Sequence, residues 1–157
     1  MKITLILMAK TSSSYLREGI AEYSKRLQHY CDFNIIELPS IKNTQNWPME
    51  KLKEKEEALY VKELKGDEYL VLLDDKGRTY DSMEFSNWIE RLQSISTKHL
   101  VFIVGGAYGF SEGMYKLSKE KLSLSKMTFS HQLVRLIFLE QLYRGFTIIH
   151  NEPYHHS

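Results

Sequence analysis

An apolar run that breaks directly into glycines is the first feature of this chain that could support chemistry. Residues 101–104 read Val-Phe-Ile-Val and are followed by Gly105, Gly106 and Gly109. Glycine lets a ligand approach main-chain N–H and C=O groups closely, so the segment fits a cofactor loop at the end of a strand. The spacing matches neither the dinucleotide fingerprint nor a phosphate-binding P-loop. A simple tight turn therefore accounts for the same residues equally well.

The segment after these glycines changes its periodicity. Residues 122–129 alternate apolar and polar side chains, and a helical pattern begins at Gln132, with Ser130 placed to cap it. Main-chain groups of this segment could hold an adenine ring. His131 and Arg135 are four residues apart and share one helix face, which makes them a candidate binding pair. The alternative is that Arg135 packs or pairs with a local carboxylate while His131 only occupies the first turn.

Aromatic, basic and histidine side chains cluster towards the C-terminus. Tyr143 and Arg144 are followed, after a short interval, by Tyr154, His155 and His156. Side chains of these types stack on bases, bind phosphate and move protons near neutral pH. A disordered or tag-like tail is the alternative interpretation.

Composition restricts the other kinds of site. Asp74 and Asp75 follow an apolar run, but adjacent carboxylates without a nearby histidine form a solvated turn more often than a metal site. Cys31 is the single cysteine, which excludes an internal disulfide and a cysteine-cluster metal site. We therefore expect no metal and a reducing, cytoplasmic compartment. The net charge of +1 provides no overall attraction to nucleic acid, so any such site must be a local patch.

Short apolar runs alternate with longer segments of helical spacing. Strands are predicted at 3–8, 33–38, 69–73 and 100–104, and helices at 15–30, 49–64, 83–92 and 132–143. This alternation predicts an α/β domain with a largely parallel sheet, and 157 residues without a linker predict one domain over 1–157. The charge run at 50–57 is interpreted as a solvated helix face. The N-terminal run is too short for a signal peptide or a membrane span.

Several short motifs follow one another along the whole chain. They are Lys2-Ile3-Thr4, Glu22-Tyr23, Lys25-Arg26-Leu27, the Leu73 turn with Gly77, Val104-Gly105-Gly106 with Gly109, the run Leu124 to Phe129, His131 to Arg135, Glu140 to Arg144, and Pro153-Tyr154-His155. In this order they resemble the ribosomal large subunit methyltransferase H family of the SPOUT superfamily. That family methylates N3 of pseudouridine 1915 (standard rRNA numbering) in 23S rRNA.

The resemblance implies a fold, an assembly and a methyl donor. It implies a SPOUT-type, mostly parallel sheet flanked by helices, with a C-terminal trefoil knot, in a homodimer that uses S-adenosyl-L-methionine. The donor would contact Leu73, Gly105, Leu124, Ser125, Lys126, Met127, Thr128 and Phe129. These residues lie in the same strand ends and glycine break that the residue pattern had already marked as candidate loops.

The resemblance also implies where RNA is read. Arg144, Tyr154 and His155 are the candidate catalytic residues, and the candidate RNA contacts are His131, Arg135, Tyr143 and His156. Our hypothesis is that N3 loses its proton as it attacks the sulfonium methyl. Arg144 would stabilise the developing anion, and His155 would accept the proton or hold the ring. The expected substrate is 23S rRNA in the assembled ribosome, read by a patch that two subunits share.

The chain departs from the family pattern at three places. Ser130 stands where proline is usual, and either residue suits a helix start. Gly145 stands where alanine is common, which should loosen the end of the helix. His156 and Ser157 end the chain where a fixed cation is frequent, which weakens the expectation of a phosphate contact there.

Overall fold

The described residues, 1–156 in this computed structural model, form five strands and five helices. In chain order these are β1 (Lys2–Met8), α1 (Ser14–Leu27), β2 (Asp32–Leu38), α2 (Met49–Lys62), β3 (Tyr69–Thr79), α3 (Ser82–Ser94), β4 (His99–Val104), α4 (Glu112–Leu117), β5 (Glu120–Ser123) and α5 (Leu133–Ile149). The strands form one parallel sheet in the order β2-β1-β4-β3-β5. The prediction of an α/β domain with a mostly parallel sheet is confirmed.

Several elements differ in length from the prediction, and two were not predicted. Strand β3 continues six residues beyond Leu73, and α5 extends to Ile149 instead of 143. Strand β5 has four residues and α4 has six, so neither is long enough to show a periodic pattern. Within residues 1–156, we find no helix long and apolar enough to cross a membrane.

The sheet is buried on both faces, which explains why its central strands read as continuous apolar runs. Along β1, Ile3, Leu5 and Leu7 pack with α1, α3 and α5, whereas Ile6 and Met8 pack on the other face with residues of α2 and α4. Successive side chains of a strand point to opposite faces, so both sets must be apolar. The sheet is therefore a rigid platform for the loops at its carboxyl edge.

Strand β3 runs unusually close to the edge strand β5. Leu122 of β5 pairs in register with both Leu73 and Arg78, and the ladder is irregular between these two residues. A Cβ on Gly77 would lie 2.6 Å from the carbonyl carbon of Lys121 and 2.7 Å from the nitrogen of Leu122. Because those atoms are main chain and cannot move aside, only glycine fits where the two segments cross.

Candidate active site

A cavity of about 650 Å³ opens at the carboxyl ends of β3, β4 and β5. The sheet register determines this place, because Leu73 pairs with Val104 on one side and with Leu122 on the other. The chain that leaves each of these strands therefore forms one wall of the cavity. The three walls are residues 73–76, residues 104–110, and residues 122–131 without Lys126.

The structure brings together seven of the eight residues proposed to contact the methyl donor. Leu73, Gly105, Leu124, Ser125, Met127, Thr128 and Phe129 all line the cavity. Lys126 is exposed and does not belong to the lining within the part of the chain that the structure describes. Three loops that are distant in sequence thus face one volume.

The first wall contains a carboxylate whose two oxygens are both engaged. Oδ1 of Asp74 accepts a hydrogen bond of 2.8 Å from the Lys76 main-chain N–H, and its other oxygen accepts one from the Tyr115 hydroxyl. Burial and the bond to Asp74 raise the pKa of Tyr115, so this hydroxyl stays protonated and donates. Among residues 1–156, no group of three or more His, Cys, Asp or Glu side chains is arranged to hold a metal ion.

Most of the second wall is residues 105–109, which we name the glycine loop. The Gly109 N–H donates to the Gly106 carbonyl at 3.3 Å, and Gly109 has a φ of +82°, which favours glycine. The segment is therefore a tight turn, and the same turn forms a cavity wall. The tight-turn interpretation is therefore confirmed, and the role of the segment as a cofactor loop stays a prediction.

The third wall begins with the last two residues of β5 and continues into residues 124–131 between β5 and α5, which we name the crossing loop. The Ser123 hydroxyl donates to the Ser125 carbonyl at 2.8 Å, and the Ser125 hydroxyl accepts from the Met127 N–H at 2.9 Å. At its end the Ser130 hydroxyl accepts from the Leu133 N–H at 3.1 Å, as a helix cap does. These serine bonds shape the main chain and leave Met127 77% exposed at the mouth.

His131 and Arg135 do not act as a pair. His131 is exposed and lines the cavity, whereas Arg135 is fully buried. The Arg135 guanidinium donates to the carbonyls of Met8, Ala9 and His131 and to the Thr11 hydroxyl, at 2.6 to 3.2 Å. Its N–H groups already donate to partners inside the protein, so the expected RNA contact is not compatible with this position. The alternative, that Arg135 packs internally, describes it better, although its partners are carbonyls and a hydroxyl.

The three candidate catalytic residues lie together on the C-terminal side of α5. Nη2 and Nε of Arg144 donate to Oε1 of Glu140 at 2.6 and 3.2 Å, and the Tyr154 hydroxyl donates to the same oxygen at 3.1 Å. Nη1 of Arg144 lies 3.2 Å from Nδ1 of His155. We name Glu140, Arg144, Tyr154 and His155 the tail cluster.

Electrostatics keep Arg144 and Tyr154 of the tail cluster each in one protonation state. Hydrogen bonding to Glu140 raises the pKa of Arg144, and burial with bonds to Tyr23 and Glu140 raises the pKa of Tyr154. The guanidinium also lies over the Tyr154 ring, 4.7 Å from its centroid. Arg144 is thus a fixed cation and Tyr154 a neutral donor.

Two tyrosines that the sequence reasoning did not propose as site residues support the tail cluster: one in α1 and one just beyond its end. The Tyr30 hydroxyl donates to Glu152 at 2.7 Å, and the Tyr23 hydroxyl lies 3.3 Å from that of Tyr154. Tyr143 packs edge-on against Tyr154 and beside both Tyr23 and Tyr30, and so serves as part of this support. His156 is exposed, and Ser157 lies outside the described residues. The spacing of Glu140 four residues before Arg144 was the signal that could have identified the carboxylate.

The tail cluster and the cavity are separate within one chain. None of the four tail-cluster residues lines the cavity within residues 1–156. Val134 lines it, and Arg144 lies ten residues further along the same helix, a rise of about 15 Å at about 1.5 Å per residue. Groups that react must approach to about 3–3.5 Å. One chain therefore does not assemble both parts at a single point.

Comparison with known proteins gives a consistent result over the whole chain. The family model described as "Predicted SPOUT methyltransferase" matches residues 1–155. Proteins named ribosomal RNA large subunit methyltransferase H are 54% identical in Parabacteroides distasonis and 49% identical in Phocaeicola vulgatus and in Flavobacterium johnsoniae. Each of these alignments covers 157 residues, which is 100% of this chain and 100% of the relative.

Proposed function

Because the chain belongs to the SPOUT methyltransferase family, as its motifs had indicated, we propose that it transfers a methyl group to N3 of pseudouridine 1915 in 23S rRNA. The relatives that align over their full length are named as ribosomal RNA large subunit methyltransferases, which supports an rRNA substrate. A ribosomal substrate in turn implies work in the cytoplasm.

The observation that carries the proposal is the convergence of three separate loops on one cavity. Motifs at Leu73, at Gly105 and along 124–129 are far apart in sequence, and seven of their eight residues face the same volume of about 650 Å³. That volume lies within the range of about 300–1,000 Å³ that is usual for sites of small molecules. A tight turn without a ligand would not require the other two loops to meet it.

The lining supports S-adenosyl-L-methionine as the donor. Apolar side chains of Leu73, Leu122 and Val134 offer a surface for an adenine ring, and main-chain groups of the crossing loop offer polar contacts at its edge. Asp74 and Glu112 contribute carboxylates that suit the positive charge of a sulfonium and an ammonium group. When bound, the donor supplies an electrophilic methyl group.

The tail cluster supplies the groups that the base requires. An imide nitrogen such as N3 of pseudouridine is a weak acid, so a fixed cation that stabilises its anion lowers the barrier to methylation. Arg144, which Glu140 holds in place, is that cation. His155 beside it accepts the N3 proton or orients the ring, and Tyr154 packs against the guanidinium.

We propose that two subunits complete the site. The separation of the tail cluster from the cavity on one helix supports a homodimer in which the tail cluster of one subunit faces the cavity of its partner. The double pairing of Leu122 with Leu73 and Arg78 supports a crossing of the C-terminal segment past β3, consistent with the trefoil knot of the family.

The test is transfer of labelled methyl from S-adenosyl-L-methionine to 70S ribosomes and to 50S subunits that lack the modification. Label confined to the pseudouridine of 23S rRNA is the expected result, with free rRNA fragments as poor substrates. Donor binding without label on either particle would assign another RNA substrate. Absence of donor binding would assign a ribosome-associated factor that is not an enzyme.

A further inference from the structure

Two buried polar side chains lie behind the glycine loop, outside the cavity lining of residues 1–156. Glu56 of α2 is 7% exposed, and Tyr60, one helical turn later, is 1% exposed. A Cβ on Gly106 would lie 2.6 Å from Oε2 of Glu56, so the carboxyl group packs directly on the Gly106 main chain. The interpretation of the whole 50–57 charge run as a solvated face is therefore wrong for Glu56.

The surroundings of Glu56 do not favour a charge. It forms no salt bridge among the described residues, and Tyr60 beside it packs into the apolar cluster that contains Ile6, Met8 and Phe110. Burial raises the pKa of Glu56 to about 7. A carboxylate in such a place would lack the solvation that it has in water.

Few other titratable groups face this carboxyl. Tyr60 is on the same helix. Burial together with the Glu56 charge raises the pKa of its hydroxyl, and the Gly106 main chain and Arg135 oppose that shift. Glu57, the next residue, packs instead against Gly113 of α4. On α5, the charge of Arg135 opposes the raised pKa of Tyr60, and its guanidinium donates hydrogen bonds to carbonyls and a hydroxyl.

We propose that Glu56 is a positioning residue for the glycine loop: its uncharged carboxyl group packs behind Gly106 and holds the loop in the shape that forms the cavity wall. A charged carboxylate needs solvation that this buried position does not supply, and its oxygens lie directly against the Gly106 main chain. Ionisation therefore displaces either the Glu56 side chain or the loop. In both cases the wall loses its support.

The direction of the pH dependence follows from the direction of the shift. Burial behind the glycine loop, in the ordered shape seen here, raises the pKa of Glu56 from an ordinary value of 4.5 to about 7. Neutral Glu56 therefore stabilises this ordered shape of the glycine loop. The stabilisation is complete at a pH below the ordinary pKa of 4.5 and is lost as pH rises through about 7. The glycine loop should be well ordered in mildly acidic solution and looser in mildly alkaline solution.

Nuclear magnetic resonance of the ligand-free protein tests this without reference to its function. The Glu56 carboxyl carbon and the Gly106 amide should titrate together between about pH 5.5 and about pH 8.5, with a midpoint near 7. In Glu56→Gln the Gly106 amide should stay constant, and Glu54→Gln, an exposed neighbour on the same helix, should behave as the parent. A Glu56 carbon with an ordinary carboxyl midpoint, or equal movement of Gly106 in Glu56→Gln, overturns the proposal.

The consequence for the methyl donor rests on the proposed function. Affinity for S-adenosyl-L-methionine should be about tenfold weaker at about pH 8 than at about pH 6, if binding requires the neutral carboxyl. In Glu56→Gln, titration calorimetry should find less than about a twofold difference between the same two conditions. Equal pH dependence in both proteins overturns the coupling to the donor. No donor binding by the parent at either pH overturns the proposed function instead, and the ligand-free titration still decides the role of Glu56.

Discussion

Arg135 and Arg144 lie on the same helix and have opposite surroundings. Arg135 is fully buried and donates to main-chain carbonyls, whereas Arg144 is partly exposed and paired with Glu140. Both occur in motifs that carry the family resemblance, so the sequence did not distinguish the buried arginine from the candidate catalytic one. What distinguishes them is depth in the fold, since Arg135 reaches the turn after β1.

Replacement of Arg135 with Met is expected to lower the free energy of unfolding by about 2–4 kcal/mol. The carbonyls of Met8 and Ala9 would lose their buried donors, and Ala9 already has an unfavourable φ of +67°. Urea unfolding measures the change. Arg91→Met, at an exposed arginine of α3, should stay within about 0.5 kcal/mol of the parent. A decrease in the free energy of unfolding of less than about 1 kcal/mol, combined with weaker ribosome binding, would instead support a role for Arg135 in RNA binding.

Replacement of Glu140 with Gln tests whether the carboxylate positions Arg144. We expect kcat to fall by about tenfold to a hundredfold, because Oε1 of Glu140 fixes both Arg144 and the Tyr154 hydroxyl. Donor affinity should be unchanged, since Glu140 lies outside the cavity lining of the described residues. Single-turnover methyl transfer and calorimetry separate the two quantities. An equal fall for Glu90→Gln, an exposed carboxylate of α3, would contradict a positioning role.

At the scale of elements, the sequence predicted the strands and helices that are long enough to show a recognisable hydrophobic pattern. Four strands follow from short apolar runs, and the longer helices follow from the segments of helical spacing between them. Strand β5 and the second half of β3 were not predicted, because they are short and polar and their pairing depends on contacts between residues more than 40 positions apart. Helix α2 shows a related limit, because a charge run revealed the helix but not that Glu56 faces inward.

Replacement of Gly77 with Ala is expected to separate β3 from β5. The new Cβ would meet the main chain of Lys121 and Leu122 at 2.6 to 2.7 Å, and those atoms can move only if the edge strand moves. Because Leu122 and Ser123 lead into the crossing loop, donor affinity should fall together with thermal stability. Thr79→Ala, an exposed position of β3, should change neither quantity appreciably. Normal stability with normal donor affinity would show that the two segments part easily.

At the scale of the whole molecule, the candidate site was predictable in its parts and not in its arrangement. The glycine break, the crossing loop and the tail were each visible as residue types, but the sheet register alone brings the first two together. The length of α5 leaves the tail cluster away from the cavity. The net charge of +1 adds no general attraction to RNA, so a substrate must be recognised by a surface that is assembled locally.

Mixing two defective variants tests the assembly of that surface from two subunits. Thr128→Trp should fill the cavity, and Arg144→Ala should remove the cation of the tail cluster, so each homodimer should be inactive. In a heterodimer, one cavity is intact and faces the intact tail cluster of the partner, while the other site carries both defects. Random exchange gives half heterodimers with one working site of two, so the mixture should recover about a quarter of the parent activity.

The same mixture contradicts the two-subunit site if heterodimers form and remain inactive. Separate affinity tags on the two variants allow the heterodimer to be purified, and sedimentation fixes its mass. Its activity should then be about half that of the parent, because one of its two sites is complete. A tail cluster that serves the cavity of its own chain would leave each subunit with one defect, and no combination of subunits could repair it. Recovery therefore requires that the tail cluster on α5 reaches the cavity of the other subunit.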